Sequence, residues 1–342
     1  MKSVKLVETA LSLAVLFIAL GARPGGFRLA RQIRLGDRGG WDALAVEPAT
    51  QRLFVTHGTH VQVLDVKGDS VVGDIPNTPG AHGVALAPDL GRGFVSDGRD
   101  STVTVFDLAS LAVVTRIELA ARNPDAIEYD PASRRVFAFN AGSDNATAID
   151  AVTDSIVGSV PLPGRPEFAA ADGNGRMYVN LEDSSAVVRF DTRTLQVLDR
   201  WRLDPGEGPT GIALDREKRR VFSGCGNQKL VVLDADDGRV VSVLPIGKGV
   251  DGVAFDPERR LVFSSNGEGT LTVIREETPD RFAVLENAPT QRGARTLAVD
   301  PTTGSVYLPT ADFGPPPAPT AERPHPWPSI VPGTFRVLVM RR

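Results

Sequence analysis

The chain has 342 residues, a formal net charge of −4 at pH 7 and one cysteine, Cys225, so an intramolecular disulfide is excluded. Its lysines and arginines form no basic block and no stripe with interleaved aromatic residues, which argues against a nucleic-acid partner. Its 34 glycines and 26 prolines are typical of a chain with many turns.

The first segment, residues 1–22, has the composition of a secretory signal peptide. Lys2 and Lys5 precede an apolar run over residues 10–22, which is short for a bilayer span, and small residues at its end offer cleavage sites. We therefore expect a periplasmic or secreted protein that has no membrane span after cleavage. The alternative is that the segment is retained as an N-terminal anchor.

Residues 23–342 are predicted to form one domain built from a repeat. Each repeat contains a turn between its first two apolar runs, and successive turns are separated by 40 to 44 residues. An acidic residue precedes the turn in six of the seven repeats. The turn positions are Pro48, Pro88, Pro131, Gly173, Arg216, Pro257 and Pro301.

The repeat over residues 125–160 shows the pattern most clearly, with four short apolar runs separated by Gly, Pro, Asp, Asn and Ser. The runs alternate at period 2 and are rich in β-branched and aromatic residues, which favours strands over helices. Four strands in about 40 residues are typical of a β-propeller blade. The sequence therefore predicts an all-β, seven-bladed β-propeller with four-stranded antiparallel blades.

The seventh repeat lacks a fourth strand at the C-terminus. Its first three strands are predicted over 296–300, 305–309 and 335–340, and the chain then ends at Arg342. An unassigned strand over 27–35 precedes the first repeat. We expect this N-terminal strand to close the last blade, which would tie the two ends of the chain together.

The repeats resemble those of the YVTN-repeat, YncE-like propeller family. The residues that carry the resemblance are Val136-Phe-Ala-Phe-Asn140, Met177-Tyr-Val-Asn180 and the Asp-Pro turns, and it extends over residues 27–340. The resemblance implies a seven-bladed propeller. It also favours a binding role over catalysis, because the proteins of that family are mostly described as binding or uncharacterised.

Seven residues occupy the same position, five residues before the acidic turn position of each repeat, where the innermost strand begins. All are polar and four are carboxylic acids, and we call them the polar ring: Asp42, His82, Asp125, Glu167, Thr210, Asp251 and Arg295. We expect them to surround one mouth of the central channel and to create an acidic field there. They could hold a ligand or a metal, or they could cap turns and pair with Arg295.

A divalent metal is one candidate cofactor. Carboxylate oxygens suit Ca²⁺, Mg²⁺ or Mn²⁺, and His82 would allow Zn²⁺. Other propeller families place a catalytic metal in the channel mouth, and by analogy the candidate ligands are Asp125, Glu167, Asn180 and Asp251, with His82 as a base. These residues would support a metal-dependent lactonase or hydrolase.

The ends of the second strands are expected to open onto the same face. They contribute polar residues at His57, Asp97, Asn140, Asn180 and Asn266. His57 and His82 could form a two-histidine, one-carboxylate set with Asp42, or they could be a pair of exposed rim histidines. Trp41 could form the aromatic wall of a ligand site or part of the core between blades.

A proline-rich insertion over residues 310–333 separates the second and third strands of the seventh repeat. Prolines cannot pair in a sheet, so a stiff extended loop is predicted over the face that carries the polar ring. Phe313, His325 and Trp327 give this loop groups for contacts. It could be a lid, a recognition arm or a packing strap.

The sequence thus favours an exported, monomeric propeller that binds a small ligand, a metal ion or a protein partner at the channel mouth. A metal-dependent hydrolase and a structural scaffold are the alternatives. The sequence does not decide whether the protein is an enzyme.

Overall fold

The computed structural model describes residues 25–36, 40–320 and 328–342. The predicted signal peptide, His325 and Trp327 lie outside these ranges. Within them the chain forms 28 strands in seven four-stranded antiparallel sheets and one 3₁₀ turn, Pro88–Leu90. The predicted seven-bladed propeller is confirmed.

The first four blades follow the sequence order, and each runs from the inner to the outer strand. Blade 1 contains β2 (Leu44–Glu47), β3 (Arg52–His57), β4 (His60–Asp65) and β5 (Ser70–Ile75). Blade 2 contains β6 (Ala81–Ala87), β7 (Arg92–Asp97), β8 (Thr102–Asp107) and β9 (Val113–Glu118). Blade 3 contains β10 (Pro124–Asp130), β11 (Arg135–Asn140), β12 (Asn145–Asp150) and β13 (Ser155–Pro161). Blade 4 contains β14 (Pro166–Ala171), β15 (Arg176–Leu181), β16 (Ala186–Asp191) and β17 (Val197–Arg202).

The last three blades include the strand from the N-terminus. Blade 5 contains β18 (Pro209–Asp215), β19 (Arg220–Cys225), β20 (Lys229–Asp234) and β21 (Val240–Pro245). Blade 6 contains β22 (Val250–Asp256), β23 (Leu261–Asn266), β24 (Thr270–Thr278) and β25 (Arg281–Pro289). Blade 7 contains β26 (Ala298–Asp300), β27 (Ser305–Thr310), β28 (Arg336–Arg341) and, as its outer strand, β1 (Arg28–Arg34).

The two ends of the chain close the ring as predicted. β1 pairs antiparallel with β28, and Ile33 lies opposite Val337. Ile33 is only 2% exposed and packs in a cluster with residues of blades 7 and 1. The inner strands contact one another in sequence order and β26 contacts β2, so no blade stands at a free end.

The core lies between the blades. Phe94 and Val105 of blade 2, for example, pack against Tyr129 and Val136 of blade 3. Second strands such as β11 are buried on both faces because each blade is covered by a neighbour on either side. Outer strands are the exposed edges.

The acidic turn residues join each blade to the next. Asp130 accepts a hydrogen bond from the backbone N–H of Ser133 in its own turn and one from Thr192 Oγ1 in blade 4, at 3.0 and 2.6 Å. Asp300 likewise accepts one from Gln51 Nε2 in blade 1, at 3.1 Å. The acidic residue therefore recurs because it satisfies a turn and an interblade contact together.

Candidate functional site

The inner strands bring five residues of the polar ring into one connected group. His82 Nδ1 lies 2.7 Å from Asp42 Oδ2 and 3.5 Å from Asp125 Oδ1. Arg295 Nε lies 2.6 Å from Asp251 Oδ2, and Arg295 also approaches Asp42, with 3.8 Å between its guanidinium and Oδ1. Charged groups that are far apart in the sequence thus meet at one channel mouth, as expected; their binding role stays a prediction.

Glu167 and Thr210 also belong to the polar ring, but the ion pair of Glu167 and the hydrogen bond of Thr210 are with residues outside this connected group. Glu167 is paired with Arg165 at 3.0 Å, and Arg165 is also 2.8 Å from Glu182. The Thr210 hydroxyl donates to the backbone carbonyl of Val250 at 3.1 Å. Thr210 therefore uses its polar group to join blades 5 and 6.

Three carboxyl groups of the ring, those of Asp125, Glu167 and Asp251, have pKa values above those of free carboxyl groups. Burial raises the pKa of Asp125 and of Asp251, and the charge of Asp42 adds to both effects. Burial, followed by the charge of Asp125, raises the pKa of Glu167 to about 8. A cation delivered to this mouth would favour the ionised carboxylates, because it would offset both burial and mutual repulsion.

Burial acts on the pKa of His82 in the opposite sense to its effect on the neighbouring carboxyl groups. Burial by itself would lower its pKa, but the hydrogen bond with Asp42 and the negative charges of Asp125, Asp42 and Glu167 raise it above the ordinary value of 6.5. The imidazolium form is therefore favoured while the mouth is anionic.

The predicted metal ligands Asp125, Glu167, Asn180 and Asp251 do not form one set. Asn180 is buried; its Nδ2 donates to the carbonyls of Thr210 and Gly211, and its Oδ1 accepts from Ser223. Its side chain therefore fastens blade 4 to blade 5 and cannot ligate. Among the described residues, Asp42, His82 and Asp125 are the group whose ligand atoms all lie within 4.8 Å of one another.

The second strands do end beside the polar ring, since Asp97 pairs with Ala81, next to His82, but the expectation that their last side chains face the mouth is wrong. His57 is 1% exposed and stacks on Phe335, with 4.4 Å between ring centroids, so it is neither a rim histidine nor part of the His82 group. The equivalent residues of blades 2, 3, 4 and 6 are also buried. Asp97, for example, accepts from Thr104 Oγ1 at 2.6 Å, because these positions lie between sheets and bond to neighbouring strands.

Trp41 belongs to the core between blades, and its role in a ligand site stays a prediction. It is 8% exposed and stacks on Phe335 at 5.2 Å, within the core cluster between blades 7 and 1. It also contacts Phe313, at 6.1 Å between ring centroids, and lines a cavity at the channel mouth.

The described part of the proline-rich insertion, residues 310–320 and 328–333, lies over the face of the polar ring, and we call it the arm. Its two stems are joined by backbone hydrogen bonds from Gly314 to Ser329 and from Val331 to Asp312, each 2.8 Å long. Gln291 Nε2 fixes the stem by donating to Asp312 Oδ1 at 3.0 Å. The arm is therefore fastened at its base to blades 6 and 7.

A cavity of about 870 Å³ lies beneath the arm, and we call it the chamber. Its apolar walls include Trp41, Phe313, Pro316, Pro317, Pro328 and Ile330. Lys248, Glu268 and Arg292 also line it and were not anticipated from the sequence. Lys248 and Arg292 each stand three positions before a residue of the polar ring, so the repeat register could have indicated them.

A second cavity of about 500 Å³, the recess, lies at Asp42 and His82. The chamber and the recess share three lining residues, Gly40, Trp41 and Arg295. The apolar walls and the charged ring therefore form one continuous site.

Comparisons with solved structures support the fold. The structure of U3-55K matches with a TM-score of 0.73 and 12% identity, over 90% of this chain and 97% of that chain. A chain of the mitotic checkpoint complex matches with a TM-score of 0.75 and 12% identity, over 99% of both chains. The WD40 repeats of RRP9 match with a TM-score of 0.74 and 11% identity, over 94% of this chain and 98% of that chain.

The chain shares its fold with WD40-repeat propellers. At such low identities this likeness establishes the architecture alone, and the function has to be inferred from the residues of the site. No protein-family model and no curated protein sequence matches this chain. In the part of the chain that the structure describes, no helix has the length and hydropathy needed to cross a membrane.

Proposed function

We propose that this protein binds a small organic ligand at the mouth of the channel, with an apolar part in the chamber and a basic group at the polar ring. The observation that carries this proposal is that Trp41 and Arg295 line both cavities, so one molecule can contact both. A volume of about 870 Å³ lies within the usual range for small-molecule sites.

The chemistry of the ring supports a basic group on the ligand. Burial and mutual repulsion disfavour the ionised forms of Asp125 and Asp251, and an added positive charge would relieve both. Binding of a cation should therefore release protons from the ring.

The arm supports the apolar half of the proposal. Its prolines present apolar surface that is already restricted in conformation, so little entropy is lost when a ligand packs against it. A ligand packed against these walls would exclude water and so strengthen the electrostatic interactions at the adjoining ring.

The apolar half can be tested with the neutral dye N-phenyl-1-naphthylamine, whose fluorescence rises in apolar surroundings. We expect saturable binding to the mature protein and loss of most of this signal when residues 315–328 are replaced by a short Gly-Ser linker. Phe313→Ala should weaken binding several-fold, roughly as expected for loss of one buried aromatic contact.

A matched control is the double variant Val71→Ser, Val72→Ser. These residues are exposed apolar side chains on the outer strand of blade 1, 48% and 51% exposed, and they line neither the chamber nor the recess. Circular dichroism would verify that each variant is folded. Dye binding that is unchanged without the arm but falls in the outer-strand variant would contradict the proposal.

Divalent metal binding is a second candidate, favoured by the close approach of Asp42, His82 and Asp125. A metal would have to displace the Asp42–His82 hydrogen bond and bind neutral imidazole, so uptake should increase with pH. Equilibrium dialysis with Zn²⁺ or Mn²⁺, followed by metal analysis, tests this. We expect Asp125→Asn to abolish uptake and Asp251→Asn to retain it; no uptake at any pH would also remove the basis for a metal-dependent hydrolase.

Export and family membership are further parts of the proposal. The positive and apolar segments of residues 1–22 support export, and N-terminal sequencing of protein recovered from the periplasm or medium would test it. The Asp-Pro turns and the Val136–Asn140 stretch support kinship with the YVTN-repeat propellers. An alignment of homologues that lacks these repeat positions would count against that kinship.

A further inference from the structure

Two cations of the chamber have no ionic partner among the residues that the structure describes. Lys248 and Arg292 are exposed side chains that form no ion pair or side-chain hydrogen bond with the described residues. Arg295, by contrast, is held by Asp251, and Arg165 is held by Glu167 and Glu182. Lys248 and Arg292 are therefore available to a bound molecule.

Glycine backbone forms the base of the chamber between these cations. The N–H of Gly267 donates to the carbonyl of Gly249 at 2.7 Å, and the N–H of Gly293 donates to the carbonyl of Gly267 at 2.8 Å. Gly293 has a φ of +86°, and a Cβ there would lie 2.5 Å from the ring of Phe313. A side chain at this position would thus displace the aromatic wall, so glycine allows Phe313 to lie where it does.

We infer that the ligand of the chamber carries an anionic group, of the carboxylate or sulfonate class, that binds Lys248 and Arg292. This inference rests on the proposed function. Charge complementarity is the argument for it, because a largely apolar cavity is lined by one anion, Glu268, and by two cations that have no ion pair within the described ranges. The carboxylates of the polar ring favour a basic group on the same ligand. The ligand is therefore an apolar molecule that carries both an acidic group and a basic group.

The test compares two dyes of similar apolar structure on the mature protein. 8-Anilinonaphthalene-1-sulfonate carries the anionic group, and N-phenyl-1-naphthylamine is neutral. We expect Lys248→Gln with Arg292→Gln to weaken binding of the sulfonate dye roughly tenfold, as for the loss of charge-assisted contacts, and to leave the neutral dye unchanged. Added salt should also weaken the sulfonate dye selectively.

Two further variants control for charge. Glu268→Gln removes the opposing anion of the chamber and should strengthen binding of the sulfonate dye. Lys67→Gln with Arg200→Gln removes the same net charge from exposed side chains that do not line the chamber, and it should have little effect. All five substituted positions of the test are exposed, so the variants are expected to fold.

The outcomes separate the inference from the function on which it rests. If the neutral dye binds beneath the arm but the sulfonate dye is insensitive to Lys248→Gln with Arg292→Gln, the anionic group is refuted and the chamber remains a ligand site. If the control pair weakens the sulfonate dye as much as the chamber pair, the effect is one of net charge and the inference fails. If neither dye binds beneath the arm, both proposals fail.

Discussion

His82 Nδ1 lies 2.7 Å from Asp42 Oδ2, although the two residues are 40 positions apart and belong to neighbouring blades. The contact exists because equivalent positions of successive repeats meet at the channel mouth. It also helps to hold the pKa of His82 above its ordinary value, against the effect of burial.

We therefore expect Asp42→Asn to lower the pKa of His82. The amide keeps the size of the side chain but removes the negative charge that favours the imidazolium. Titration of the histidine ring protons by NMR measures this directly, and the other histidine signals serve as internal references. An unchanged midpoint for His82 would show that Asp42 does not control its protonation.

Folding stability is expected to decrease from mildly acidic to mildly alkaline pH. Burial, then the charge of Asp125, raises the pKa of Glu167 to about 8, and burial, then the charge of Asp215, raises that of Glu276 to about 7. A carboxyl group whose pKa is higher in the folded state stabilises that state below its unfolded pKa. This contribution is lost as the pH rises through the folded pKa.

Urea unfolding at about pH 5.5 and about pH 8.5 measures the effect, which should be roughly 1–3 kcal/mol for a group such as Glu167. Glu167→Gln should reduce the difference between the two pH values. Glu118→Gln changes an exposed carboxylate on the outer strand β9 and should leave the difference unaltered. Higher stability at the alkaline pH would contradict the assigned direction of the shifts.

Asp97→Asn should stabilise the protein at neutral and alkaline pH. Asp97 is fully buried, and burial raises its pKa to about 6 although Thr104 and Thr102 donate hydrogen bonds to it. The equivalent Asn266 instead donates its Nδ2 to Thr270 and Thr272, which shows that this strand position accepts an amide.

The expected gain is roughly 1–3 kcal/mol in the free energy of unfolding, since a buried charge is replaced by an amide. Asp97→Ala is the matched control and should be destabilising, because both threonine hydroxyls lose their partner. Equal stability of the Asn variant and the wild type at pH values above the pKa of Asp97 would refute the account.

Ring closure can be tested within a single strand. Ile33 is 2% exposed and packs between blades 7 and 1, whereas Leu29, on the same strand, is 45% exposed. Ile33→Ala should cost roughly 2–4 kcal/mol, and Leu29→Ala should cost less than about 0.5 kcal/mol. Thermal or urea unfolding of both variants provides the measurement. If Ile33→Ala lowers the free energy of unfolding as little as Leu29→Ala does, β1 contributes little to closure.

The sequence was sufficient to predict the blades because each blade is a local unit. Turn residues recur near every fortieth position, and alternation at period 2 specifies the strands between them. Closure by residues 27–35 could also be predicted, since a seventh repeat that lacks its outer strand leaves an unpaired edge. Even the polar ring followed from register, because residues at one repeat position lie at one level of the propeller.

The side-chain partners could not be predicted in the same way. His57 was expected at the rim, but its position at the end of β3 directs it against Phe335, a residue from the opposite end of the chain. Asn180 was expected among metal ligands but is committed to backbone carbonyls of blade 5. Such contacts join different blades, and a local pattern contains no information about which neighbour a side chain meets.

The amino-acid sequence by itself determined the architecture of this protein, because period, turns and strand alternation are local properties that repeat seven times. Only the tertiary structure decided the site: it joined the recess to the chamber, paired Arg295 with Asp251 and left Lys248 and Arg292 without ionic partners among the described residues. Distances across the channel depend on how the seven blades close around the axis, and closure is a property of the whole ring.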